Sequence, residues 1–331
     1  MAGPPRLTPG GRATIIDVAA AAGVSRQTVT RAMNGMSGIS AATKDRVLQA
    51  AAALDYRPSR FGRGLVTGGD HQLGLVVNDL RNPYAPALAS AVLGLAAARG
   101  WNVMLADVGL ASDSDRMVES LGAQTDVVIG YLGSRAPEWI ERLGSVPVVE
   151  LDPSGPVTRA AVRIDPTAAI DDLADHLVDV GVKHPVVLDA AADGVPSQRG
   201  EHMVAALRRR GYLPDLVVAS APTAERTERI LAEHRRVDAV LAFNDVLALG
   251  VLSACRRAGV DVPGDVRVVG VDGLPLGTLV APTLTTLAVD LDEVAGQALD
   301  LALGMLAGEL PRSGAAVERT VRHRLLLRES A

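Results

Sequence analysis

The chain has 331 residues, 48% of them apolar and only 2% aromatic, and carries a formal net charge of −5. That length admits a small module plus one or two α/β domains, with a core built from Ala, Val and Leu. No apolar run reaches membrane-spanning length, the Pro/Gly-rich first ten residues hold no apolar signal segment, and the single cysteine, Cys255, rules out an intrachain disulfide.

Residues 1–12 are expected to be disordered. Thr14 is a good N-cap, with Asp17 three residues on. Ile16, Val18, Ala19 and Ala22 then form a helical apolar stripe, and Gly23 stops the helix. Ser25 caps a second helix with Val24, Val29, Ala32 and Met33 inward. Arg26, Gln27, Thr30 and Arg31 face solvent, and Asn34-Gly35 ends it. Ser40 caps a third helix, with Val47, Leu48, Ala51 and Leu54 inward, and Pro58 marks its limit. Two short helices around a tight Gly-Val-Ser turn make a helix-turn-helix. Arg and Gln are the side chains that bond guanine and adenine edges bidentately in the major groove. Residues 1–65 hold nine basic and three acidic residues, a net of +6, so the remainder carries −11. A basic module on an acidic body suits a binder of the phosphate backbone.

The matched pattern is T-I-x-D-V-A-x-x-A-G-V-S-x-x-T-V-(S/T)-R-x-x-N from Thr14, then S-x-x-T-x-x-R-V from Ser40, then Tyr56-Arg57-Pro58. It resembles the DNA-binding head of the lactose-repressor (LacI/GalR) family over about fifty residues. The resemblance implies a head over residues 13–57 with Arg26, Gln27 and Arg31 reading bases. Thr14, Ser25, Thr28, Thr30 and Asn34 would serve the phosphate backbone and the helix caps. Residues 58–70 resemble the family's hinge, which orders as a helix on operator DNA. Arg60, Arg63 and Leu65 would then meet the minor groove, Leu65 as a wedge. Gly62 and Gly64 depart from the family's small helix-formers, and each costs up to about 1 kcal/mol of helix.

Residues 71–331 alternate short apolar strands with amphipathic helices. Strands are expected at 73–78, 102–106, 126–129, 146–151, 185–188, 239–242 and 267–271, with a last one at 320–328. Helices are expected at 87–99, 167–180, 198–210, 225–235 and 245–258. Such alternation predicts βαβ units and parallel sheets, with ligands at the carboxyl ends of the strands.

The residues at those ends resemble the family's effector core, which is similar to periplasmic sugar-binding proteins. The fold class implied is a small all-α head plus an α/β core of two parallel-sheet subdomains. Subdomain one would span about 71–164 plus 288–317, and subdomain two about 165–287 plus 318–331. Asn82-Pro83-Tyr84 matches N-P-(F/Y), with Ala85 where a second aromatic is usual. Ser197-Gln198-Arg199 matches the start of S-x-R-x-x-G-(F/Y), with His202 and Met203 replacing the Gly-aromatic pair. Asn244-Asp245 matches A-x-N-D, Asp272-Gly273 lacks the second Asp, and Pro282–Thr286 matches P-x-L-T-T. The effector contacts implied are Tyr84, Asp152, Arg199, Asn244 and Asp272. A plainer role stays open for several: Asn244 and Asp245 also suit a helix cap, and Asp152 and Asp272 suit turns. Trp101 and Trp139 read as packing residues. His176, His184, His202 and His234 show no metal spacing, although His202, one turn from Arg199, is a candidate to face the cleft.

No G-x-G-x-x-G, G-x-x-x-x-G-K-(S/T) or G-x-S-x-G follows a strand, so neither catalytic residues nor a cofactor or metal is expected. The reading is a cytoplasmic, nucleoid-associated regulator: a repressor, not an enzyme. Its partners would be palindromic operator DNA, a sugar effector and a second copy of the chain. With no heptad tail after the last strand, a dimer is expected rather than a tetramer. The alternatives are a sugar- or nucleoside-binding protein without a transcriptional role, and a regulator that needs a corepressor or acts as an activator.

Overall fold

The computed structural model describes residues 15–33, 38–54, 71–153, 155, 157, 159–190, 195–219 and 236–331. The expectations for the first twelve residues, Thr14, Asn34, the hinge with Arg60, Arg63 and Leu65, and the helix at 225–235 lie outside them. The chain divides into two compact units, residues 1–71 and 72–331.

The first unit contains α1 (Ile15–Ala22), α2 (Arg26–Met33) and α3 (Ala41–Ala53). Gly23, at φ +62°, adopts the left-handed conformation that lets the chain leave α1 without a Cβ penalty. Ser25 Oγ accepts from Thr28 N at 3.2 Å, and Ser40 Oγ accepts from Thr43 N at 3.2 Å, so both hydroxyls cap as expected. Val18, Val29 and Val47, one per helix, are fully buried with Ala19, Ala22, Ala32 and Ala51 around them. Arg46 Nε donates to the Ala22 carbonyl at 3.1 Å and ties α3 to the end of α1. Two expected core residues face out instead: Ile16 is 65% exposed and Leu48 40%. The α1 stripe is Ile15, Val18, Ala19 and Ala22, the i, i+3, i+4, i+7 set that a 3.6-residue period dictates, and Ile16 lies 100° off it.

The second unit holds two six-stranded sheets. The first runs β11-β5-β4-β3-β1-β2, from β1 (Gln72–Val77), β2 (Asn102–Asp107), β3 (Val127–Gly130), β4 (Val148–Leu151), β5 (Ala160–Asp165) and β11 (Glu318–Arg322). The second runs β12-β10-β9-β8-β6-β7, from β6 (Pro185–Ala190), β7 (Asp215–Ala219), β8 (Ala239–Ala242), β9 (Arg267–Asp272), β10 (Thr285–Ala288) and β12 (Arg324–Leu326). All ladders are parallel except β10 with β12. The connecting helices are α4 (Tyr84–Ala98), α5 (Ser114–Gly122), α6 (Ala136–Leu143), α7 (Thr167–Asp179), α8 (Gln198–Arg209), α9 (Asp245–Ala258) and α10 (Leu291–Ala307). The central strands of each sheet are buried on both faces and read as apolar runs, as in β3 and β8, whereas the edge strands β2, β11 and β12 are largely unburied. Trp139 and Cys255 belong to these cores, and burial pushes the Cys255 thiol up.

The chain passes between the sheets three times: after β5, after β10, and between β11 and β12. This corrects the expectation of one strand at 320–328. Arg322 still pairs with Asp165 in the first sheet, whereas Arg324 pairs with Ala288 in the second. His323 is the residue between, its N–H donating to the Asp165 carbonyl at 3.0 Å. Residues 318–322 therefore belong to the first sheet, not to the second subdomain where they were expected. A ladder in one sheet cannot continue into the other without breaking.

Candidate functional site

On α2 the side chains of Arg26, Gln27 and Arg31 are exposed, whereas Val29 and Ala32 on the opposite face are buried. Thr30 is half-buried and its hydroxyl turns back to donate to the Arg26 carbonyl at 3.1 Å. Thr28 is half-buried as well, its hydroxyl 2.9 Å from that of Ser25. The polar face that α2 presents is thus two guanidiniums and one carboxamide.

In the second unit a cavity of about 240 Å³ opens between the sheets, at the carboxyl ends of β1, β3, β4, β8 and β9. All five expected effector residues line it: Tyr84, Asp152, Arg199, Asn244 and Asp272. The first sheet contributes Tyr84 and Asp152, and the second Arg199, Asn244 and Asp272. Asp152 and Asp272 are the described non-glycine residues with positive φ, +46° and +119°. Such backbone is uncommon outside glycine and collects where surrounding structure holds a side chain for a purpose.

The local folding explains each placement. Asp189, fully buried at the end of β6, accepts from Ser197 N at 2.6 Å and from Ser197 Oγ at 2.7 Å. Ser197 Oγ in turn accepts from Gly200 N at 3.0 Å and starts α8, so Arg199 sits in the first turn facing the cavity. A Cβ on Gly200 would lie 2.5 Å from Asp189 Oδ2, which is why glycine follows Arg199. The Arg199 guanidinium donates to the Phe243 carbonyl at 2.7 Å, lies 4.7 Å from the Phe243 ring centre, and stands 3.8 Å from Asp272 Oδ1. Asn244 Oδ1 accepts from Leu247 N at 2.9 Å, so the cap role left open in the sequence is real, and the residue lines the cavity too. Asp245 points away: fully buried, it accepts from Thr286 Oγ1 at 2.6 Å and from Leu274 N at 2.7 Å, bracing the Asp272 loop. A Cβ on Gly270 would stand 2.3 Å from Asp245 Oδ1, so glycine leaves that carboxylate its room.

Burial pushes the Asp272 carboxyl up to about 7; Arg199 opposes that shift and Asp245 adds to it. Burial likewise raises Asp152, against a backbone hydrogen bond from Ile164 and the pull of Arg199. A buried carboxylate is costly when only partly paired. Asp272 is 6% exposed and bears that cost, whereas Asp152 is solvent-exposed, and both line the cavity.

Of the cavity residues that sequence reasoning missed, three shape its chemistry. Tyr131, just past β3, supplies the second aromatic that Ala85 does not. Its hydroxyl is 2.7 Å from that of Tyr84, and the rings meet edge-to-face at 6.1 Å and 64°. Burial raises both phenols. Phe243, the variable position of A-x-N-D, seats Arg199. His323 lines the cavity at the crossover between the sheets, with nothing in the local sequence to mark it. His202, by contrast, is exposed and does not line the cavity. No helix among the described residues is long and apolar enough to cross a membrane.

Residues 14–59 match the model of the bacterial regulatory proteins of the lacI family, and residues 174–331 that of the periplasmic binding protein-like domain. The transcriptional regulator reg1 of Streptomyces lividans is 35% identical, over 82% of this chain and 84% of its own. A LacI family regulator from Arthrobacter sp. FB24, solved with lactose, superposes with a TM-score of 0.75 at 37% identity, over 80% of this chain and all of that one. The lac repressor dimer, solved on its operator with an anti-inducer, shares the fold at a TM-score of 0.76 and 24% identity, over 97% of this chain and 99% of that one. With a lacI-type head, a periplasmic-binding-like core and a 35%-identical regulator matching most of its length, the chain belongs to the LacI family of bacterial regulatory proteins.

Proposed function

We propose that this protein is a sugar-responsive transcriptional repressor. As a homodimer it binds a two-fold symmetric operator through Arg26, Gln27 and Arg31 of each head, since one helix-turn-helix reads only a few base pairs. The observation that carries the effector half of this reading is the single cavity shared by Tyr84, Asp152, Arg199, Asn244 and Asp272. A forked donor, two carboxyl groups, a carboxamide and an aromatic pair suit the alternating hydroxyls and flat faces of a sugar. A ligand that bonds both subdomains stabilises their closed arrangement, and this couples the cavity to the DNA by roughly 1–3 kcal/mol. The lactose-bound relative supports the ligand class. The test is fluorescence anisotropy of the full-length protein on its own upstream DNA, at two salt concentrations, against a panel of sugars and nucleosides. Tight, salt-dependent binding released by one sugar is the expected result. Release by a nucleoside alone, or binding equal to that on random DNA, overturns it.

A further inference from the structure

His323 is 6% exposed, lines the cavity, and its Nδ1 has no hydrogen-bond partner among the described residues. Buried polar atoms in folded proteins are nearly always paired, so an orphan beside an open cavity calls for a missing partner. The residue also occupies the β11–β12 crossover, where its backbone N–H bonds Asp165 at the first of the three passages. It therefore belongs both to the cavity wall and to a segment that joins the two sheets.

We propose that His323 is a specificity-determining effector contact, whose imidazole exchanges a hydrogen bond with one sugar hydroxyl and so senses the ligand directly at the crossover. Burial and the neighbouring Arg199, set against Asp165, bring its pKa down to about 4, so the ring is neutral at neutral pH. A neutral imidazole carries one donor and one acceptor. That suits a hydroxyl, which is both, and gives no charge to hold a carboxylate. Arg199 supplies the cavity's positive charge, facing Asp152 and Asp272.

This proposal rests on the sugar reading above, and the experiment separates the two. D-ribose, D-glucose, D-galactose and lactose are titrated calorimetrically into the full-length protein and into its His323→Ala and His323→Gln variants. The mono-deoxy analogues of whichever sugar binds follow. The expected result is a loss of about tenfold for His323→Ala, the scale of one neutral hydrogen bond, with partial recovery in His323→Gln. One deoxy analogue should bind wild type and His323→Ala equally. Two results overturn the proposal and leave the sugar reading intact: parent affinity in His323→Ala within about twofold of wild type, or a loss of the same factor for the parent and every analogue. Failure of all four sugars to bind wild type overturns the sugar reading, and this proposal with it.

Discussion

Asp272 and His323 line the same cavity and titrate in opposite senses, and this predicts how stability responds to pH. Burial raises the Asp272 carboxyl from 3.8 to about 7 and lowers the His323 ring from 6.5 to about 4. Between pH 5 and 6.5 the folded protein holds a proton on Asp272 that the unfolded chain has released, so stability from this group falls as pH rises. Over the same interval the unfolded chain holds a proton on His323 that the folded protein lacks, so stability from that group rises. Each slope is close to 1.4 kcal/mol per pH unit, and in wild type the two nearly cancel. Asp272→Asn removes one slope, since asparagine tolerates positive φ and keeps the shape. Relative to wild type it should gain about 2 kcal/mol between pH 5 and 6.5. His323→Gln should show the opposite trend, losing about 2 kcal/mol relative to wild type over that interval. Urea unfolding at fixed protein concentration, followed by tryptophan fluorescence, is the assay, because Trp101 and Trp139 both lie in the second unit and report on it alone. Variant profiles that stay parallel to wild type across the interval would show that neither group is shifted, and the electrostatic account of the cavity would fail.

Gln27→Ala should cost about 1–3 kcal/mol at one operator position and leave affinity for random DNA nearly intact; competition binding on single-substituted operators reads this, and equal weakening on all sequences counts against base reading. Arg199→Ala should abolish release by the effector while DNA binding persists, checked by anisotropy with and without the sugar. Arg199→Lys should rescue little, because an ammonium lacks the planar guanidinium that lies 4.7 Å from the Phe243 ring centre while donating to the Phe243 carbonyl. Gly130→Ala should destabilise the second unit by about 1–3 kcal/mol: its Cβ would stand 2.4 Å from the Val76 carbonyl oxygen in the next strand, and an unchanged urea midpoint would contradict that packing.

Much of this protein was decided locally and could be read along the chain. Gly23, Ser25 and Ser40 set the limits of the head helices through caps and a left-handed turn, and these involve residues at most a few positions apart. The bounds of α9 and β8 likewise followed from Asn244 and from an apolar run of four. The five cavity residues were legible because the family resemblance points to residues at strand ends and helix starts, where a parallel sheet leaves its ligand groups. Tertiary structure decided the rest. Leu48 is as apolar as the buried Val47 beside it, and the packing of α3 on the other two helices decides which of them faces in. The strands β5 and β7, and the break of the last strand at His323, depend on partners distant along the chain, such as Asp215 with Val186, Arg322 with Asp165 and Arg324 with Ala288. Tyr131 also follows a strand, but no motif singled it out, and His323 carries no local signal because its role comes from the groups brought beside it. Short-range hydrogen bonding is written in neighbouring residues, whereas burial and electrostatic environment are properties of the packed chain.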